Sequence, residues 1–85
     1  MSTLVRYLDR VEIRIDMHSP QPAYLQLAAQ LRRGITAMAA GDRIPSTHDL
    51  VAQTGLAIGT VQKAVRLLKE DGLVYSVPGR GIFVR

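Results

Sequence analysis

The sequence predicts a small α+β domain of three helices, with one strand before the first helix and a β-hairpin after the last. Three observations predict it. Apolar residues recur at helical spacing in three separate windows of the 85 residues. A glycine closes each window, at Gly41, Gly55 and Gly72. After Gly72 two short β-prone runs flank Pro78-Gly79-Arg80-Gly81, a strong turn sequence.

Val11, Ile13 and Ile15 alternate with Glu12, Arg14 and Asp16, the period of a half-buried strand over about 11–16. Ser19-Pro20-Gln21-Pro22 ends it, because proline removes a donor and keeps the preceding residue extended. Residues 1–20 therefore read as an extension and 21–85 as the domain proper. Such a strand can fold back on its own domain, pair with the strand near Val74–Val77, or pair with a second copy; folding back is the expected outcome.

Tyr24, Leu27, Ala28, Leu31, Ile35 and Met38 line one side of a first helix from about Pro22 to Ala39, with Gly41 as its stop. Asp42-Arg43-Ile44-Pro45 is short and extended. Ser46 followed three residues later by Asp49 has the form of a capping box, so a second helix runs from Thr47 to Thr54 and ends at Gly55. The third starts near Ile58 or Gly59 and reaches about Asp71, with Val61, Ala64, Val65 and Leu68 as its apolar stripe. Leu73–Val77 and Ile82–Val84 are the strands of the hairpin.

Two short helices joined by a glycine turn make a helix-turn-helix, and the hairpin that follows makes it a winged helix-turn-helix with a two-stranded wing. The outward stripe of the third helix is Gly59, Gln62, Lys63 and Arg66. Ala57, Gly59, Thr60 and Gln62 are slim enough for a DNA major groove, which is about 12 Å wide. Arg80 lies between Gly79 and Gly81, where backbone comes close to a partner and an arginine suits a narrow minor groove.

Charge agrees with a polyanionic partner. The formal net charge is +4. Residues 1–20 carry three arginines and three acids, so the excess lies wholly in 21–85. Cysteine is absent, which excludes disulfides and thiolate metal sites and fits a reducing cytoplasm. Nothing approaches the roughly 18 apolar residues of a membrane span, and the amino terminus lacks a signal peptide's apolar run. An enzyme is not expected. His18 and His48 are far apart, no phosphate-cradling loop is present, and Asp49 beside His48 reads as a helix-start carboxylate. No metal or cofactor is implied.

Several motifs in order resemble the amino-terminal domain of GntR-family bacterial transcription regulators. They are Pro22-Ala23-Tyr24-Leu25-Gln26-Leu27, Asp42-Arg43-Ile44-Pro45-Ser46, Leu50-Val51-Ala52-Gln53 with Gly55, and Thr60-Val61. Leu67-Leu68, Asp71-Gly72-Leu73-Val74 and Pro78-Gly79-Arg80-Gly81-Ile82-Phe83-Val84 complete the set. The resemblance covers about residues 13–85. It implies sequence-specific binding of double-stranded DNA, usually as a homodimer, by a transcription regulator whose expected mode is repression. It places DNA contacts at Ser46, Thr47 and His48, at Ala57, Ile58, Gly59, Thr60, Gln62 and Lys63, and at the wing tip with Gly79 and Arg80. Arg43, Arg66 and Gly81 join them as neighbouring candidates.

The chain departs from the resembled pattern on its reading face. Arginine is usual at His48 and frequent at Gln62; a Ser or Thr cap followed by Arg and Thr is usual at Ala57, Ile58 and Gly59; leucine is usual at Thr54. Losing arginines weakens guanine reading, while Ala57 and Ile58 suit thymine methyls and Gln62 suits adenine, so the expected site leans to A·T pairs. The competing reading is a winged helix whose surface serves a protein partner. The resembled regulators also continue into a larger effector-binding domain, which these residues do not contain; Met1 and the lack of an appended tag favour a short complete chain over an excised domain.

Overall fold

The structure is a computed structural model and describes residues 13–85. Its elements are α1 (Ala23–Ile35), β1 (Arg43–Ile44), α2 (Thr47–Thr54), α3 (Ile58–Glu70), β2 (Val74–Val77) and β3 (Gly81–Val84). α1 and α2 both pack on α3. The strands form one antiparallel sheet in the order β1-β3-β2. Its register sets Arg43 beside Phe83 and Phe83 beside Tyr75, so these three share the outer face. Ile44, Val74, Ile82 and Val84 point inward, as period-2 alternation requires.

The core is made of the stripes read from the sequence. Leu27 and Leu31 from α1, Leu50 from α2 and Val61, Ala64 and Leu68 from α3 are at most 1% exposed. Met38, Leu56, Leu67 and Leu73 close its rim. α2 and α3 have the bounds expected of them to within a residue, and the wing strands begin one residue later at Val74 and one earlier at Gly81.

α1 is shorter than expected. It stops at Ile35 instead of Ala39, with Thr36 as its C-cap. Other bonds claim the next residues, one local and one across the fold: Ala39 N–H donates to the Asp42 carboxylate at 2.7 Å, and Gly41 N–H to the Val84 carbonyl at 2.7 Å. Val84 N–H returns a bond to the Asp42 carbonyl at 2.8 Å. Gly41 thus belongs to a turn tied to β3. Met38 is off the helix yet still packs on the core.

The expected amino-terminal strand takes an unexpected form. Val11 and Glu12 lie outside the described residues. Residues 13–16 run extended, with Ile13 and Ile15 against the core, but join no sheet. Two glutamine side chains on α1 replace a partner strand. The Gln30 amide accepts from Arg14 N–H at 2.9 Å and donates to its carbonyl at 2.6 Å. The Gln26 amide does the same for Asp16, at 2.8 and 2.9 Å. The match is geometric: four helical residues rise about 6 Å, close to the span of two extended residues. Gln26 also donates to the Gln21 carbonyl at 2.8 Å, which satisfies the buried amide. The described part of the segment lies on its own α1 and is not paired with β2.

Candidate nucleic-acid interface

Local chemistry sets the two helices of the helix-turn-helix. Ser46 Oγ accepts Asp49 N–H at 3.1 Å, and the Asp49 carboxylate accepts Ser46 N–H at 3.2 Å, the reciprocal bonds of a capping box. The Asp49 carboxylate thereby serves the start of α2. Gly55 ends α2 with φ 73°. Thr54 is not a defect in the core. Its hydroxyl donates to the Leu50 carbonyl at 2.7 Å and accepts Leu56 N–H at 3.1 Å, which braces the turn. α3 then starts at Ala57 with no side-chain cap and no acid in its first turn.

The wing turn is as specific. Arg80 N–H donates to the Val77 carbonyl at 3.0 Å across Pro78 and Gly79, and Gly79 has φ 72°. Proline then left-handed glycine is the sequence such a turn demands. Gly81 matters differently: a Cβ there would lie 3.0 Å from Cδ of Arg43. The arginine stem lies directly on the glycine, so Arg43 runs along the base of the wing.

These elements enclose an open groove of about 730 Å³. One wall is Ser46, Thr47 and His48 at the start of α2. Gln62, Arg66 and Lys69 of α3 line the floor, and Gly79, Arg80 and Gly81 of the wing form the other wall. Its lining includes Arg66, Lys69 and Arg80 and no acidic residue. Three separate sequence stretches thus converge on one cationic surface.

The remaining expected residues fall around it. Ala57, Ile58 and Gly59 are exposed at the amino end of α3, with Ile58 46% exposed; Thr60 is half-buried behind them. Lys63 leaves the groove: its ammonium sits 4.2 Å from the centre of the Tyr24 ring of α1. The single outward stripe read from the sequence is therefore two, with Gln62 and Arg66 facing the wing and Lys63 facing α1. Lys69 was missed by the sequence reading, although 62, 66 and 69 follow helical spacing. Among the described residues no cluster of three or more His, Cys, Asp or Glu could hold a metal ion. No helix among them is long and apolar enough to cross a membrane.

A family model described as bacterial regulatory proteins, gntR family, matches residues 23–84. The chain belongs to this family. Its relatives include the HTH-type transcriptional regulator SmoD of Agrobacterium fabrum, 35% identical over 66 residues that make up 75% of this chain and 28% of SmoD. The HTH-type transcriptional repressor YtrA of Bacillus subtilis is 33% identical over 76 residues, 85% of this chain and 57% of YtrA. Among solved structures, AraR(DBD) in complex with operator ORX1 matches with a TM-score of 0.77 at 28% identity, covering 87% of this chain and 98% of that one. The GntR-family chain described here thus spans less than two thirds of either curated relative, and its three helices and wing are the architecture of the family's DNA-binding structures.

Proposed function

We propose that this GntR-family domain binds double-stranded DNA sequence-specifically as a transcription regulator acting in the cytoplasm, repression being its mode, with a homodimer as the binding unit. The observation that carries the reading is the groove. It unites the start of α2, one face of α3 and the wing tip, and it carries three cations with no carboxylate. A duplex fits this shape with α3 in the major groove and the wing at the minor groove. Repression is supported by kinship to YtrA, which is named a repressor.

The residues divide by chemistry. Arg43, Lys63, Arg66, Lys69 and Arg80, with Ser46, Thr47, Gly79 and Gly81, meet phosphates and fix register. Ala57, Ile58, Gly59, Thr60 and Gln62 meet base edges. A glutamine pairs with adenine, and Ala57 and Ile58 meet thymine methyls, which gives an A·T-leaning half-site. Selection from random duplexes is expected to return such half-sites; G-rich ones would overturn this assignment.

The test of binding itself is a salt titration. Neutralising five phosphates per domain, one for each cation assigned to them, gives a slope of log K on log salt of about −4.5. A domain that ignores duplex DNA even at low salt would instead be a protein-interaction module, with the exposed Ile58 as its anchor. Mass measurement on a two-half-site duplex decides the dimer: one domain bound per duplex would exclude it.

A further inference from the structure

The two faces of the wing sheet are built from different chemistry. Alternation along the strands turns Ile44, Val74, Ile82 and Val84 into the core, where they are buried. The opposite face carries Arg43, Phe83 and Tyr75 in register across β1, β3 and β2. Arg85, two residues beyond Phe83, continues that face, and its N–H donates to the Leu73 carbonyl at 3.0 Å. Tyr75 is 37% exposed, and both arginines are exposed. The Tyr75 ring stacks on Phe83 with centroids 5.8 Å apart, and the Arg85 guanidinium lies over the same ring at 5.6 Å.

Composition and charge both mark this row as an interface. Tyrosine, phenylalanine and arginine are enriched where proteins meet, whereas lysine, glutamate and aspartate are depleted there. The three strands contain none of the latter three. Stacking holds Tyr75, Phe83 and Arg85 together in advance, so less side-chain freedom is lost when a partner arrives. Neither arginine has an ion pair among the described residues. The nearest acid in the sequence, Asp42, gives its carboxylate to Ala39 N–H. Aromatic area thus lies between two guanidiniums that lack a carboxylate.

An acidic peptide satisfies both parts of this surface. Its carboxylates can take the guanidiniums in bidentate pairs, and an apolar side chain between them covers the rings. A single-stranded nucleic acid would offer phosphates and would need a free ring on which to stack a base. The Tyr75 ring is already engaged by Phe83 and Arg85. The groove draws on Ser76 and Ile82, which alternate onto the other side of the same strands, so both surfaces can be filled at once. We propose that the outer face of the wing sheet, Tyr75 and Phe83 with Arg43 at one end and Arg85 at the other, docks an acidic segment of a partner protein. This holds whatever occupies the groove. Arg43 also lies on Gly81, a groove residue, so Arg85 is the arginine that tests the outer face alone.

The experiment titrates the isotope-labelled full chain with a synthetic peptide of alternating aspartate and leucine, following amide shifts residue by residue. The comparison probes are the same peptide with lysine for every aspartate, and single-stranded oligothymidine. The aspartate peptide is expected to shift Arg43, Tyr75, Phe83 and Arg85, and the lysine peptide to shift none of them. Arg85→Glu and Tyr75→Ala should each weaken the aspartate peptide about tenfold or more, while Tyr75→Phe keeps its affinity. Thermal melts of each variant confirm folding. Adding duplex should leave the shifts of the outer row in place. Shifts confined to Gln62, Arg66 and Arg80, equal binding of the lysine peptide, or no binding at all overturns the proposal. Loss of the outer-row shifts on adding duplex, or tighter binding of oligothymidine to that row, overturns the choice of an acidic protein partner. A chain that binds the peptide on the outer row but no duplex upholds this proposal and overturns the groove reading instead.

Discussion

The two helices of the helix-turn-helix begin in opposite ways. α2 starts at a closed end, where Ser46 and Asp49 satisfy each other's amides and Leu50 is fully buried one residue later. α3 starts at an open end. Ala57 offers no side-chain cap, no acid stands in the first turn, and Ile58 and Gly59 are exposed. An uncapped helix leaves amide donors and positive partial charge facing outward. The closed end holds the motif in place, and the open end keeps its surface free of groups that would compete with an anionic partner.

The largest effect expected from this contrast is on packing. Leu50→Ala removes a fully buried side chain beside the closed end and should cost about 3 kcal/mol. For a domain this small that lowers the melting temperature by more than about 12 °C. Ile58→Ala, at a residue 46% exposed, should stay within about 0.5 kcal/mol while altering duplex preference. Equal destabilisation by the two in chemical denaturation would show that α3 begins as firmly packed as α2.

The second expected effect tests the caps. Ser46→Ala breaks the capping box and should cost about 1 kcal/mol. Ala57→Asp should gain about 0.5 to 1 kcal/mol, because it supplies both a cap and a favourable charge at a helix start. The same carboxylate on the open end should repel phosphate and weaken duplex binding about tenfold or more. Stability and binding then move in opposite directions from one substitution. An aspartate at 57 that left affinity unchanged would place the duplex elsewhere on the domain.

Sequence patterns exposed the closed end better than the open one. The Ser46–Asp49 spacing, Gly55 and the stripe of α3 depend on neighbours within one helical turn, so the bounds of α2 and α3 were legible. So was the wing, since Pro78-Gly79 encodes its own turn. What escaped was decided across the fold. The apolar spacing continues through Met38 as it would in a helix, and what ends α1 is the turn that Asp42 caps at Ala39 N–H and that the Val84 carbonyl ties to β3 through Gly41 N–H. Alternation at Ile13 and Ile15 announced an extended segment, but not that its partners would be Gln26 and Gln30 on a helix. Of the candidate site, the groove residues Gln62 and Arg66 were legible from helical spacing and Arg80 from its place in the wing turn, while His48 came only from the family resemblance. Lys69 was not singled out, and Lys63 could be placed beside Tyr24 only once α1 and α3 were packed together.

That displaced lysine carries the smallest effect. Lys63 still lies on α3, but its ammonium rests on the Tyr24 face at 4.2 Å, well within cation–π range. Such a contact is worth about 0.5 to 1 kcal/mol at an exposed site, so the ring holds the charge at one place on the α1 side of α3. Lys63→Ala should reduce the salt slope by about 0.9 and weaken all duplexes alike. Tyr24→Leu should keep that slope and weaken binding about twofold, because the charge remains while its orientation is lost. Tyr24→Phe preserves the ring face and should restore wild-type affinity. A tighter complex from Tyr24→Leu would reverse the assignment: the ring would then be withholding the lysine from phosphate, and the α1 side of α3 would be a brake on binding instead of an extension of the groove.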